Sequence, residues 1–249
     1  MKNSFLITFC IFSAVYGYGQ PSSKLTHQTF LFVHGAWGGG WEYAKVDSIL
    51  SAKGDIVFHP TLTGLGERVH LANADINLST HITDIVNVIK FENLHDVILV
   101  GHSYGGMVIS GVAEQIPDRI KQLIYLDAFV PNDGESIKIM NGAAWDERIT
   151  PIIKNGFVSY PFGPTKPTPP TDVPQPLKTF TEPLEISNPL AKKIPTFYIL
   201  MTKDGKSDFE QWGASRARAR NWKIYTFEGG HYAMRDQPDK LVQLLKKCK

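Results

Sequence analysis

Gly101-His102-Ser103-Tyr104-Gly105 is the stretch that most constrains what this chain can fold into. It reads G-x-S-x-G. Residues 96–100 before it form a short apolar run of buried-strand type, and residues 106–115 after it can be helical, stopping ahead of Pro117. Strand, tight turn and helix is the context of a nucleophile elbow, in which a serine stands exposed at the end of a strand. The flanking glycines let the chain turn sharply there. The amide of the next residue, Tyr104, would point at a developing oxyanion. A serine so placed requires a base, an acid and a second oxyanion donor from elsewhere in the chain.

The chain around the elbow has 249 residues, of which 43% are hydrophobic. That length suits one α/β domain with an insertion. The formal net charge is +2, and no basic stripe interleaved with aromatics is present, so nucleic-acid binding has no support. Residues 1–19 carry Lys2, an apolar run over 5–15 and small residues at 17 and 19, the pattern of a secretory signal peptide. The expected location is therefore secreted or periplasmic. The apolar run is too short to span a bilayer, and no other segment offers a membrane span. Of the two cysteines, Cys10 leaves with such a leader and Cys248 remains alone, so the exported domain rests on its core without disulfides.

Residues 29–33 form a near-continuous apolar run, a candidate central strand ending in His34-Gly35-Ala36-Trp37-Gly38-Gly39-Gly40-Trp41. A strand followed by His-Gly and a glycine cluster fits the loop that supplies a second oxyanion amide, here assigned to Ala36. The order continues with a helix over 41–53, a strand over 55–59 and a helix from a Ser79 or Thr80 cap to about Glu92. Beyond the elbow helix comes a strand over 122–126 ending at Asp127. This alternation implies a mostly parallel sheet with helices on both faces. It breaks over 132–194, where seven prolines crowd 161–176 and forbid a central strand or long helix. That segment reads as a cap insertion over the strand ends, with some helix around 142–155. Alternation resumes with a strand over 196–201 ending near Asp204, a helix over 209–220, a strand over 222–227 ending at Gly229-Gly230-His231, and a final helix over 238–247.

His231 is the candidate base, because it follows a strand and Gly-Gly downstream of the elbow. Asp204 and Asp127 both end strands and both could be the acid; strand position favours Asp204. No histidine, cysteine or carboxylate set has metal-ligand spacing, so no metal or other cofactor is implied.

These motifs resemble the α/β-hydrolase superfamily, and within it the small-esterase group of plant methylesterases and hydroxynitrile lyases. Residues 60–68 and 125–131 resemble its bacterial esterase branch. The resemblance covers the chain after residue 28 and is weakest in the proline-rich segment. It implies the α/β-hydrolase fold, with nucleophile, base and acid at Ser103, His231 and Asp204, and oxyanion amides at Ala36 and Tyr104. Some bacterial relatives keep an aspartate at the Asp127 position and lack one at the Asp204 position, so Asp127 stays open as the acid. Hydroxynitrile lyases of this type carry lysine after the histidine; Tyr232 stands there instead, which argues against cyanohydrin cleavage.

The expected function is cleavage of a small or medium carboxylic ester through an acyl-enzyme, with a small-molecule ester as partner and Trp37, Phe129 and Trp145 walling the substrate pocket. Trp41 and Phe157 are further aromatic candidates for that wall. The alternatives are a ligand-binding or signalling protein on the same scaffold, or lyase or perhydrolase chemistry on the same residues, since one fold hosts many reactions. The sequence leaves the oligomeric state open.

Overall fold

The structure is a computed structural model and describes residues 27–248. The leader expected at residues 1–19 lies outside the described residues.

Six parallel strands form the central sheet, with three short antiparallel strands in a separate small sheet. The first four central strands are β1 (Thr29–Val33), β2 (Ile56–Phe58), β3 (Val97–His102) and β4 (Ile120–Leu126). The small sheet holds β5 (Ile153–Lys154), β6 (Phe157–Val158) and β7 (Gln175–Pro176), and β8 (Thr196–Thr202) and β9 (Lys223–Glu228) complete the central sheet. Its order is β2-β1-β3-β4-β8-β9. Burial on both faces explains the near-continuous apolar strands: every residue of β3 is buried. Alternate side chains serve opposite layers. Phe30, Phe32, Ile98 and Val100 pack in one cluster, while Leu31, Val33 and Leu99 join the other.

Helices α1 (Ala44–Ser51), α2 (Leu78–Phe91) and α3 (Gly105–Gln115) follow the strand-helix rhythm read from the sequence. The cap of α2 is Asn77 rather than Ser79 or Thr80. Its side chain accepts the Thr80 amide at 2.9 Å, and Thr80 closes a capping box three positions in. Between β4 and β8 the chain forms only short elements: α4 (Ile137–Asn141), α5 (Ala143–Arg148), the small sheet and α6 (Lys178–Thr181). The helix expected over 209–220 begins as a π-turn over Glu210–Ala214 and continues as α7 (Ser215–Ala219). After β9 come α8 (Ala233–Asp236) and α9 (Pro238–Leu245). The C-terminal helix docks through Leu241, Val242 and Leu245 on the cluster that contains Phe30 and Phe32.

Candidate active site

Ser103 closes β3 with φ of 53°, a left-handed conformation that a non-glycine residue adopts only where its surroundings hold it. The surroundings are tight. A Cβ on Gly105 would sit 2.6 Å from the Val33 carbonyl oxygen, and one on Gly106 would sit 2.2 Å from that of Phe129. Only glycine lets α3 press this closely on β1 and on the chain after β4. The Ser103 backbone is itself bonded to that chain: its amide donates to Leu126 O at 3.3 Å, and its carbonyl accepts from Phe129 N at 3.1 Å.

The loop after β1 lies against the elbow. A Cβ on Gly35 would approach His102 Nδ1 to 2.9 Å and Ser103 Cβ to 3.3 Å, so the His-Gly turn packs directly on Ser103. His34 is fully buried. Its Nδ1–H donates to Gly35 O at 2.7 Å and its Nε2 accepts from Leu62 N at 3.0 Å. Burial holds its pKa down to about 4, so it is a neutral strut inside this turn. Trp37, next to Ala36, has φ of 65°.

His231 stands after β9 and meets Asp127. Its Nδ1–H donates to Asp127 Oδ2 at 2.6 Å, leaving Nε2 as the free lone pair. Asp127 is buried, and its second oxygen accepts the Met201 amide at 3.1 Å. Its φ of 46° bends the carboxylate across the end of β8 toward the histidine. Phe209 stacks on the imidazole with centroids 4.9 Å apart and planes 8° apart. His102 packs on it at 4.3 Å and donates Nε2–H to the His231 carbonyl at 2.9 Å. Burial and the adjacent His231 hold His102 well below the usual histidine range, so it is neutral.

The preference for Asp204 as the partner of His231 is thus corrected. Asp204 is exposed in a turn closed by paired Lys203–Lys206 backbone bonds, and its amide donates to Glu228 Oε1 at 3.2 Å. The reason is register. Leu126 pairs with Ile199, so Asp127 leaves the sheet level with the middle of β8, while β8 runs on to Thr202 and carries Asp204 past the sheet edge.

Ser103 and His231 line one cavity of about 720 Å³, together with Ala36 and Tyr104. Trp37, Phe129 and Trp145 are among its walls; Trp41 and Phe157 are not. Residues that the sequence did not single out also face it, notably Tyr160, Phe180, Phe209 and Trp212. The aromatic side chains of the stretch between β4 and β8 were the available signal for Tyr160 and Phe180; Phe209 and Trp212 follow β8, in a segment read only as a helix.

The alpha/beta hydrolase family model matches residues 30–244. The chain is 36% identical to the carbendazim hydrolyzing esterase of Nocardioides sp. (strain SG-4G) over 235 residues, spanning 87% of this chain and 97% of that protein. An extracellular alpha/beta-hydrolase from a Paenibacillus species superposes with a TM-score of 0.76 at 24% identity, covering 89% of this chain and 98% of the other. A methylesterase from Arabidopsis superposes at 0.68 with 26% identity, covering 88% and 98%. The chain belongs to the alpha/beta hydrolase family. Its relatives set it with the esterase group, among enzymes of the carboxylic ester hydrolase kind.

Proposed function

We propose that this protein is a serine esterase acting on a small or medium aryl or alkyl carboxylic ester, with Ser103 as nucleophile, His231 as base and Asp127 as acid. The observation that carries the reading is the 2.6 Å contact of His231 Nδ1 with buried Asp127, on a cavity that Ser103 also lines. Asp127 holds the imidazole in the tautomer whose Nε2 can accept the Ser103 proton. Ser103 Oγ then attacks the ester carbonyl and the carbonyl electrons move onto oxygen. The Ala36 and Tyr104 amides donate to that oxyanion, and the N-terminus of α3 adds a favourable dipole. Collapse expels the alkoxide, which takes the proton from His231. Water, deprotonated by the same nitrogen, attacks the acyl-enzyme, and return of the proton to Ser103 releases the acid.

The cavity volume lies in the range that encloses small-molecule ligands, and the aromatic walls suit an apolar or aryl group on either side of the ester. Absence of a lysine after His231 supports ester cleavage over cyanohydrin chemistry. The leader pattern at residues 1–19 supports action outside the cytoplasm, which N-terminal sequencing of the exported protein tests. Ser103→Ala is expected to lose hydrolysis of short p-nitrophenyl esters and labelling by a fluorophosphonate. Retention of both would refute the mechanism.

A further inference from the structure

Trp37 sits one residue beyond Ala36, in a left-handed conformation that a bulky residue does not hold unaided. Its polar groups are anchored to the segment between β4 and β8. The amide donates to Gln175 Oε1 at 2.8 Å, the carbonyl accepts from Val173 N at 2.9 Å, and the indole N–H donates to Val158 O at 3.0 Å. Gln175 is fully buried, and its orientation is fixed because only its oxygen can accept from an amide. Its Nε2 then donates to Thr179 Oγ1 at 2.8 Å, and Thr179 donates to Pro176 O at 2.7 Å.

The same segment also reaches the side chain of Tyr104. Beyond Thr179 the chain comes to the Tyr104 phenol ring. That phenol is bonded to His81 Nδ1 at 2.8 Å, and His81 Nε2–H donates to Thr63 O at 3.0 Å, so the Tyr104 hydroxyl is the donor to His81. Phe180, the next residue, has its ring 5.5 Å from Trp37 and 5.6 Å from Tyr104. Gln175, Thr179, Tyr104 and His81 are all buried: the first two form one hydrogen-bonded pair, the last two another, and Phe180 packs between them.

We propose that Gln175 is a positioning residue that sets the Ala36 amide by holding the Trp37 backbone, its own side chain anchored by Thr179. The oxyanion site is then assembled by the segment covering it and not by the central sheet alone. This rests on the serine-esterase reading, and the Ser103→Ala control separates the two. Retained activity in Ser103→Ala overturns that reading. A dead Ser103→Ala beside an unaltered Gln175 variant overturns only the present inference.

The decisive variant is Gln175→Met, which keeps length and removes both hydrogen bonds. With p-nitrophenyl butyrate, kcat is expected to fall about tenfold or more, because small misplacement of a catalytic group costs rate steeply. KM is expected to stay within about threefold, since the ground-state carbonyl needs the amides less than the oxyanion does. Phenylboronic acid, whose tetrahedral adduct with Ser103 places an oxygen at the oxyanion position, is expected to lose affinity in proportion to kcat/KM. A general loss of packing would not match these two ratios. Gln175→Glu, which keeps an acceptor toward Trp37, is expected to regain most of the loss. Should Gln175→Met fail to fold, Thr179→Val removes the anchor of Gln175 while leaving the Trp37 bond, and a several-fold drop in kcat with a matching rise in the boronate Ki is expected. Unchanged kcat and Ki in a folded variant, or a loss confined to KM, overturns the proposal.

Discussion

Replacing Asp127 by asparagine separates the two aspartates that end strands near the base. The carboxylate makes two bonds: Oδ2 accepts from His231 Nδ1–H at 2.6 Å and Oδ1 accepts from Met201 N at 3.1 Å. Asparagine has one acceptor and one donor group of the same shape. Its oxygen stays with the Met201 amide, which needs an acceptor where the carboxylate oxygen now stands. Its NH2 then faces His231 and selects the tautomer with the proton on Nε2, which cannot accept from Ser103. Loss of the correct tautomer in such a constellation costs about 10⁴ in kcat. At about 1.4 kcal/mol per decade, that is about 5.5 kcal/mol of barrier. Initial rates on p-nitrophenyl acetate for Asp127→Asn and Asp204→Asn, with circular dichroism as the control for folding, make the comparison. Asp204→Asn should stay within about twofold of the parent, because its side chain is exposed and engages no part of the site. A fall of a hundredfold or more in Asp204→Asn, with Asp127→Asn reduced less than tenfold, would refute the assignment.

Three other outcomes follow from the packing and charge of the same region. Phe209→Ala removes the ring stacked on His231 and a buried core contact, and should cost about 3 kcal/mol in denaturant unfolding and lower kcat through a less restrained base. Gly106→Ala puts a methyl 2.2 Å from Phe129 O, and should destabilise by about 2 kcal/mol or more, with the shift in urea midpoint as the measure. Glu42 is buried and its pKa is pushed up to about 8 by that burial, against the partial relief of Arg235 at 3.8 Å. Between about pH 5 and pH 8 the unfolded chain has released this proton and the folded chain has not, so stability should fall as pH rises through that window. Glu42→Gln should flatten the decline in Tm over the same range, and an equally steep decline in the variant would contradict the assignment.

The central strands and their helices were legible because burial on both sides leaves long apolar runs, and because α2 repeats its apolar residues at helical spacing. Ser103 and His231 were legible because each is bound to a local motif of glycines at a strand end. Asp127 was less so. Both aspartates end strands, and the choice between them depends on how far β8 overruns β4, a register that no local pattern encodes. The segment between β4 and β8 was opaque for a different reason. Its strands are two residues long and its helices four to six, too short to show any period. Gln175 and His81 carry no local signal, since their partners Trp37 and Tyr104 are brought to them only by the tertiary fold.

The bond from His102 to the carbonyl of His231 joins the residue before the proposed nucleophile to the proposed base. These belong to β3, at the centre of the sheet, and to the loop after β9, at its edge. Edge elements loosen before central ones in a breathing protein. A fastening of this kind passes the stiffness of the middle of the sheet to its rim, so the gap across which the proton must travel is insulated from fluctuations of the outer strand. His231 and Ser103 are thereby tied to each other through the backbone and ring of one buried histidine.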